Sequence, residues 1–234
     1  MKPFSISKIY LNDVGKKSVD INPLPKNYCS FDCVFCPLGR TEVKTDESFN
    51  FEETKKFLVK LEKVLKEDKI QHVFINPDGE ALANENILDI IRLIKSYDSE
   101  VKLLANGYLM NKYKEILNEC DEVVGELAVT SEEKFQKIER PLAGYSLKEY
   151  ISNMKKFNDQ YNGKFILDIT VLKNISDTDE NIEKFREFIE IINPNEVFFE
   201  TPGGKFENAL GVSQKRISEI TDQIHMVVEN KKSK

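Results

Sequence analysis

Short apolar runs alternate with amphipathic segments six times along this chain. Strands are predicted at 18–22, 72–75, 101–105, 122–129, 164–172 and 196–200. Helical spacing fills 48–68, 86–97, 109–120, 131–138, 145–163, 177–194 and 213–231. In the first helical segment Phe49, Phe57, Leu58, Leu61 and Val64 form one stripe. Ser131 is a candidate N-cap, Gly163 a candidate helix stop, and Pro194 a second one. Strand and helix in strict alternation build a parallel sheet covered by helices. An open doubly wound sheet and a curved six-strand barrel fragment both fit. Each places its ligand-handling residues just beyond the C-terminal ends of the strands.

No linker, internal repeat or low-complexity run divides the 234 residues. The expectation is a single domain over 1–234, with 211–234 as a closing C-terminal helix. The net charge of -6 is spread over mixed acids and bases, with no long basic run to lie on a phosphate backbone. That weighs against a nucleic-acid partner. No apolar stretch approaches the roughly 18 residues of a membrane span, and the first residues lack the apolar core of a secretory signal. A cytoplasmic location without a membrane partner is expected. In that compartment clustered cysteines point to metal or redox chemistry rather than to disulfides.

Three of the four cysteines, Cys29, Cys33 and Cys36, fall within "NYCSFDCVFCPLGRT", directly after the first strand. Their spacing is C-x3-C-x2-C. A structural zinc site needs four ligands, and the fourth would come from distant Cys120, His72 or His225. Three core thiols without a ligand are a second bland reading. A [4Fe–4S] cluster held by three cysteines leaves one iron open, which suits chemistry at the iron rather than electron storage alone.

With Phe35 before the last cysteine, the loop resembles that of the radical S-adenosylmethionine (SAM) superfamily. The resemblance implies an α/β fold, a partial (β/α)6 TIM-like barrel. It implies one [4Fe–4S] cluster on Cys29, Cys33 and Cys36. SAM would chelate the open iron and be cleaved on one-electron reduction to methionine and a 5'-deoxyadenosyl radical. Gly79 and Glu80 in "NPDGEALANE" stand where the family holds the SAM amine, and an ordinary turn explains the same residues equally well. Asn106 and Gly107 resemble a loop signature after the third strand. Glu126 stands where a polar residue of strand four often meets the SAM ribose; a solvent-facing strand residue is the plain alternative.

The segments "CPLGRT", "FQKIERP", "LDITVLKN" and "FFETPGGKF" are similar to the wyosine-type, tRNA-modifying branch. From that likeness Arg40, Asp168 and Lys173 become candidate substrate or SAM contacts, with Arg40 alternatively pairing Glu42. Alternation puts Ile166, Asp168 and Thr170 on one side of their strand. The branch's second-cluster cysteines are missing, and Cys120 reads as a core residue. The function implied is hydrogen abstraction from a small-molecule or peptide substrate, with an external electron donor such as ferredoxin or flavodoxin. A tRNA-modifying enzyme, an iron–sulfur electron carrier and a zinc-stabilised interaction protein remain as alternatives.

Overall fold

The computed structural model describes residues 2–232, with side chains as far as Ile224. The His225 side chain, Met1 and residues 233–234 of the expected closing helix lie outside the described residues. Six parallel strands form the body of one sheet: β1 (Lys17–Asn22), β2 (His72–Ile75), β3 (Glu100–Ala105), β4 (Glu122–Leu127), β5 (Lys164–Thr170) and β6 (Glu196–Glu200). Their order across the sheet is their order in the chain. A doubly wound sheet reverses direction at a switch point; this one never does. Right-handed crossovers that all step the same way put every helix on one face. The sheet therefore curls with its bare face inward, as a partial (β/α)6 barrel.

The two faces have different chemistry because side chains alternate along each strand. On the helix side Val19, Ile21, Val73, Ile75, Leu103 and Leu167 are at most 1% exposed. They meet α1 (Glu53–Asp68) through Phe57, Leu61 and Leu65, and α2 (Ile87–Lys95) through Ile87, Ile90, Ile91 and Ile94. The helices α5 (Leu147–Asn158) and α6 (Asp179–Ile192) complete the layer. Ser131, Ser146 and Thr178 each cap a helix by accepting a backbone N–H three residues on. The opposite face carries Phe74, Lys102, Glu126, Asp168 and Glu200 into a cavity. Among the described residues no helix is long and apolar enough to cross a membrane.

Several boundaries differ from the sequence expectation. Phe49 lies outside α1: its backbone pairs with the Ala83–Glu85 segment, and its ring joins Tyr28 and Phe51. The segment 109–120 is helical only over α3 (Lys114–Leu117). Tyr108, Leu109 and Met110 are all buried in succession, which one face of a helix cannot do. The segment after Ser131 starts as α4 (Glu132–Lys134) and widens into a π turn over Phe135–Glu139, where Arg140 N bonds Phe135 O at 3.1 Å. Gly163 does not stop α5, which ends at Asn158. Two short antiparallel strands, Ser5–Ile6 and Tyr10–Leu11, add to β1 and were not anticipated.

One buried side chain ties the helix layer to the loops above the sheet. Tyr150 of α5 is 1% exposed, and its hydroxyl faces the carbonyl oxygens of both Asn106 and Glu126. Tyr150→Phe keeps the ring packing and removes the one O–H proton that the two carbonyls share. A loss of about 1–3 kcal/mol in unfolding free energy is expected from urea titration; a loss under about 0.5 kcal/mol would show that the hydroxyl holds nothing.

Candidate active site

The cysteine loop is fixed mainly by backbone pairing. Asp32 N and Val34 N donate to the carbonyls of Glu139 (3.1 Å) and Ile138 (2.9 Å), so the π turn underlies the loop. Leu142 N donates to Ser30 O at 3.0 Å from the segment that follows. Two tight turns, Cys36 N to Cys33 O (3.2 Å) and Gly39 N to Cys36 O (3.0 Å), aim the loop. Cys29, Cys33 and Cys36 all line one cavity of about 290 Å³, together with Phe35, Asn27, Gly79, Asn106, Glu126 and Glu139. Cys120 is 4% exposed and precedes β4, at the opposite end of the strands.

Burial raises all three loop thiols, Cys29 to about 12, and the carboxylates of Glu80 and Glu139 add to Cys29 and Cys33 respectively. Such thiols stay protonated unless a cation compensates; metal ions supply that compensation and take the thiolate. Among the described residues no three His, Cys, Asp or Glu side chains converge to hold one metal ion. The three thiols nevertheless share one cavity, and in a cluster each thiolate takes its own iron. Asn27 is 6% exposed and lines the cavity, and both atoms of its amide lack a partner. The donor set and the orphaned amide fit a polar group filling this space.

Two further loops close on the cysteines. Gly79 after β2 has φ +136°, and a Cβ there would lie 2.3 Å from Tyr28 O. Only glycine allows this approach, across which Glu80 N bonds Tyr28 O at 2.6 Å. Glu80 itself is 1% exposed. Its carboxylate accepts Leu82 N (3.1 Å) and Asn106 N (2.8 Å) and does not line the cavity. Asn106 after β3 then donates through Nδ2 to Ser30 Oγ (2.9 Å) and toward Cys29 Sγ (3.6 Å).

Glu126 stands at the junction of this cavity with a second space of about 270 Å³ over the sheet. Register sets Glu126 beside Asp168, and Thr170 beside Glu200. Glu126 is exposed to the spaces it lines, with protein packed around the rest of the side chain. That burial first, then Asp168 and Glu200, raises it to about 8. Asp168 rises to about 7 by burial and the Glu200 charge. Arg40 projects into solvent and pairs Asp32 at 2.8 Å, rather than Glu42. Lys173 is exposed, with its backbone N–H bonded to Leu210 O, and does not line either space. Asn27, Glu139 and Glu200 line the spaces without having been singled out in the sequence. Alternation along 196–200 would have found Glu200; a π turn leaves no pattern from which to find Glu139.

The profile of the Radical SAM superfamily matches residues 24–208, and the chain belongs to that superfamily. It is 30% identical over 192 residues to UPF0026 protein MJ1312 of Methanocaldococcus jannaschii, covering 80% of this chain and 60% of that one. The chain thus spans less than two thirds of that relative's length. It is 27% identical to UPF0026 protein slr1464 of Synechocystis sp., covering 80% of this chain and 71% of the relative. Among solved structures, TYW1 with a lysine-pyruvate adduct bound superposes with a TM-score of 0.67 at 14% identity, over 88% of this chain and 72% of that one. That likeness is one of fold, and it agrees with the partial barrel.

Two outcomes follow from the carboxylates. Glu80→Gln must turn its NH2 toward one of two N–H donors, so at pH 8 it should cost about 1–3 kcal/mol in urea unfolding. Exposed Glu85→Gln should cost little by the same measurement. Glu80, Glu126, Glu139 and Asp168 all bind protons more tightly folded than unfolded, rising to about 7, 8, 8 and 7. Raised carboxyls stabilise below their unfolded values near 4 and lose that contribution as pH climbs through the folded ones. The cluster-free protein should therefore melt at a lower temperature at pH 8 than at pH 5. A melting temperature that rises over this range would contradict the assignment.

Proposed function

We propose that this chain is the radical-generating core of a SAM enzyme, with one [4Fe–4S] cluster held by Cys29, Cys33 and Cys36. The observation that carries the reading is three thiols on one loop, facing a cavity in common, with the fourth cysteine at the far end of the sheet. When bound and reduced, the cluster supplies the electron that splits SAM into methionine and a 5'-deoxyadenosyl radical, which takes a hydrogen atom from the substrate.

The chain's own residues bind, orient and exclude water. Phe35 walls the cluster side of the cavity. The Gly79 backbone, brought against Tyr28 by its missing Cβ, lines the cavity where the SAM amine would sit. Glu80 serves as a positioning residue, holding the Gly79 and Asn106 loops through their amides. Glu126, an acceptor when ionised, faces the ribose hydroxyls from β4. A ferredoxin- or flavodoxin-type donor has access over exposed Pro37 and Leu38 beside Cys36. The substrate is a small molecule or a peptide segment, entering from the open side of the barrel.

Anaerobic reconstitution tests this directly. About four irons per chain and dithionite-dependent formation of 5'-deoxyadenosine are expected from the parent and from Cys120→Ala. Alanine at Cys29, Cys33 or Cys36 should abolish both. Loss of the cluster in Cys120→Ala, or a parent that binds iron yet never cleaves SAM, would reject the assignment.

A further inference from the structure

The space over the inner face of the sheet is lined by three carboxylates and a single ammonium. Glu126 on β4, Asp168 on β5 and Glu200 on β6 come from three neighbouring strands and point to the same side. Like charges set side by side on adjacent strands destabilise a sheet. Their local compensation is incomplete. Among the described residues Glu200 accepts only from the Thr170 hydroxyl, at 3.2 Å. Lys102 also faces this space and its charge offsets part of the rise at Asp168, while its Nζ lies over the Phe74 ring, 5.1 Å from the centroid, with Glu122 at 4.0 Å.

Orphaned oxygens face the same region. Glu139 is 2% exposed and lines the adjoining cavity; Ala128 N satisfies its Oε1, while Oε2 has no partner. Asp168 Oδ1 is likewise buried without one. Buried carboxylate oxygens left unpaired are costly, and a bound donor removes the cost. Aromatic surface stands beside them: Phe198 neighbours Asp168 in register and is 52% exposed, and Phe74 already receives one ammonium on its ring. Carboxylates next to open aromatic faces are the surroundings that an organic cation selects.

We infer that the substrate carries a positively charged nitrogen, an ammonium or guanidinium on an apolar stem, seated over the inner sheet between Asp168, Glu200 and Phe198. The inference rests on the radical SAM reading of the neighbouring cavity. SAM also bears cationic groups, so the experiment must separate the two sources.

The test uses the anaerobically reconstituted protein loaded with SAM. Pentylammonium and pentanoate, matched in length and opposite in charge, are titrated and followed by ligand-observed NMR. Pentylammonium should bind and pentanoate should not. The double variant Asp168→Asn/Glu200→Gln should weaken pentylammonium about ten-fold or more, while SAM affinity by calorimetry stays within about two-fold. That variant relieves repulsion, so its melting temperature should equal or exceed the parent's, which guards against misfolding. Equal binding of the two probes overturns the inference, as does no binding of pentylammonium or indifference to the double variant. A ten-fold loss of SAM affinity in the variant also overturns it, by assigning the acidic surface to SAM itself. If the parent forms 5'-deoxyadenosine and the charge preference fails, only this inference falls. If no 5'-deoxyadenosine forms, the reading of the neighbouring site fails instead.

Discussion

Glu80 joins the loops that follow the first three parallel strands through its carboxylate and its backbone N–H. One oxygen takes Leu82 N in its own loop and the other takes Asn106 N in the next. Its backbone N–H bonds Tyr28 in the cysteine loop. Asn106 then passes the connection on, through Nδ2 to Ser30 and Cys29. Tyr150 meets the carbonyls of Asn106 and Glu126 and extends the tie to β4. Burying a carboxylate costs several kcal/mol unless its oxygens are bonded. Here the backbone supplies the bonds, and the geometry of the three thiols depends on residues far away in sequence, Asn106 and Glu139 among them.

Strand order explains why polar loops gather where they do. With β1 to β6 in consecutive order, every helix lies on the outer face and takes the apolar residues with it. The inner face has no helix to cover it. Its residues either fill the interior themselves or face something that enters. Phe74, Leu104, Val124 and Ile166 provide apolar lining; Lys102, Glu126, Asp168 and Glu200 do not. A purely structural interior would carry Val, Ile and Leu at those positions, as the outer face does. The departure from that rule is local, which is how sites differ from scaffolds.

Much of this was legible from the residues. The six strands stand out by apolar runs, and the cysteine triad by its spacing. Asp168 stood out by likeness to the wyosine-type branch, and alternation set it on one side of its strand with Ile166 and Thr170. What escaped notice depended on pairing beyond the local sequence. Arg40 could be given Glu42 as a partner on proximity in the chain, yet the fold turns Asp32 toward it. The 109–120 segment has helical composition, but Leu109 and Met110, buried in succession with Tyr108 before them, pull its start out of the helix. Glu139 reaches the cavity only because the helix widens by one residue per turn there, bringing the residue before Arg140 under the cysteine loop.

The four raised carboxylates are alike in direction and differ in what they do. Glu80 and Asp168 both rise to about 7, with burial as the leading cause in each. A shifted proton affinity does not by itself separate a scaffold acid from a site acid. Partners do. Glu80 has a backbone N–H on each oxygen, so the fold has already satisfied the charge and no ligand is needed. Asp168 and Glu139 each keep a buried oxygen without a donor, and Glu126 is raised further by Asp168 and Glu200. Removing those charges would make the apo sheet easier to fold, so their presence argues for an interaction made only when the cavity is filled.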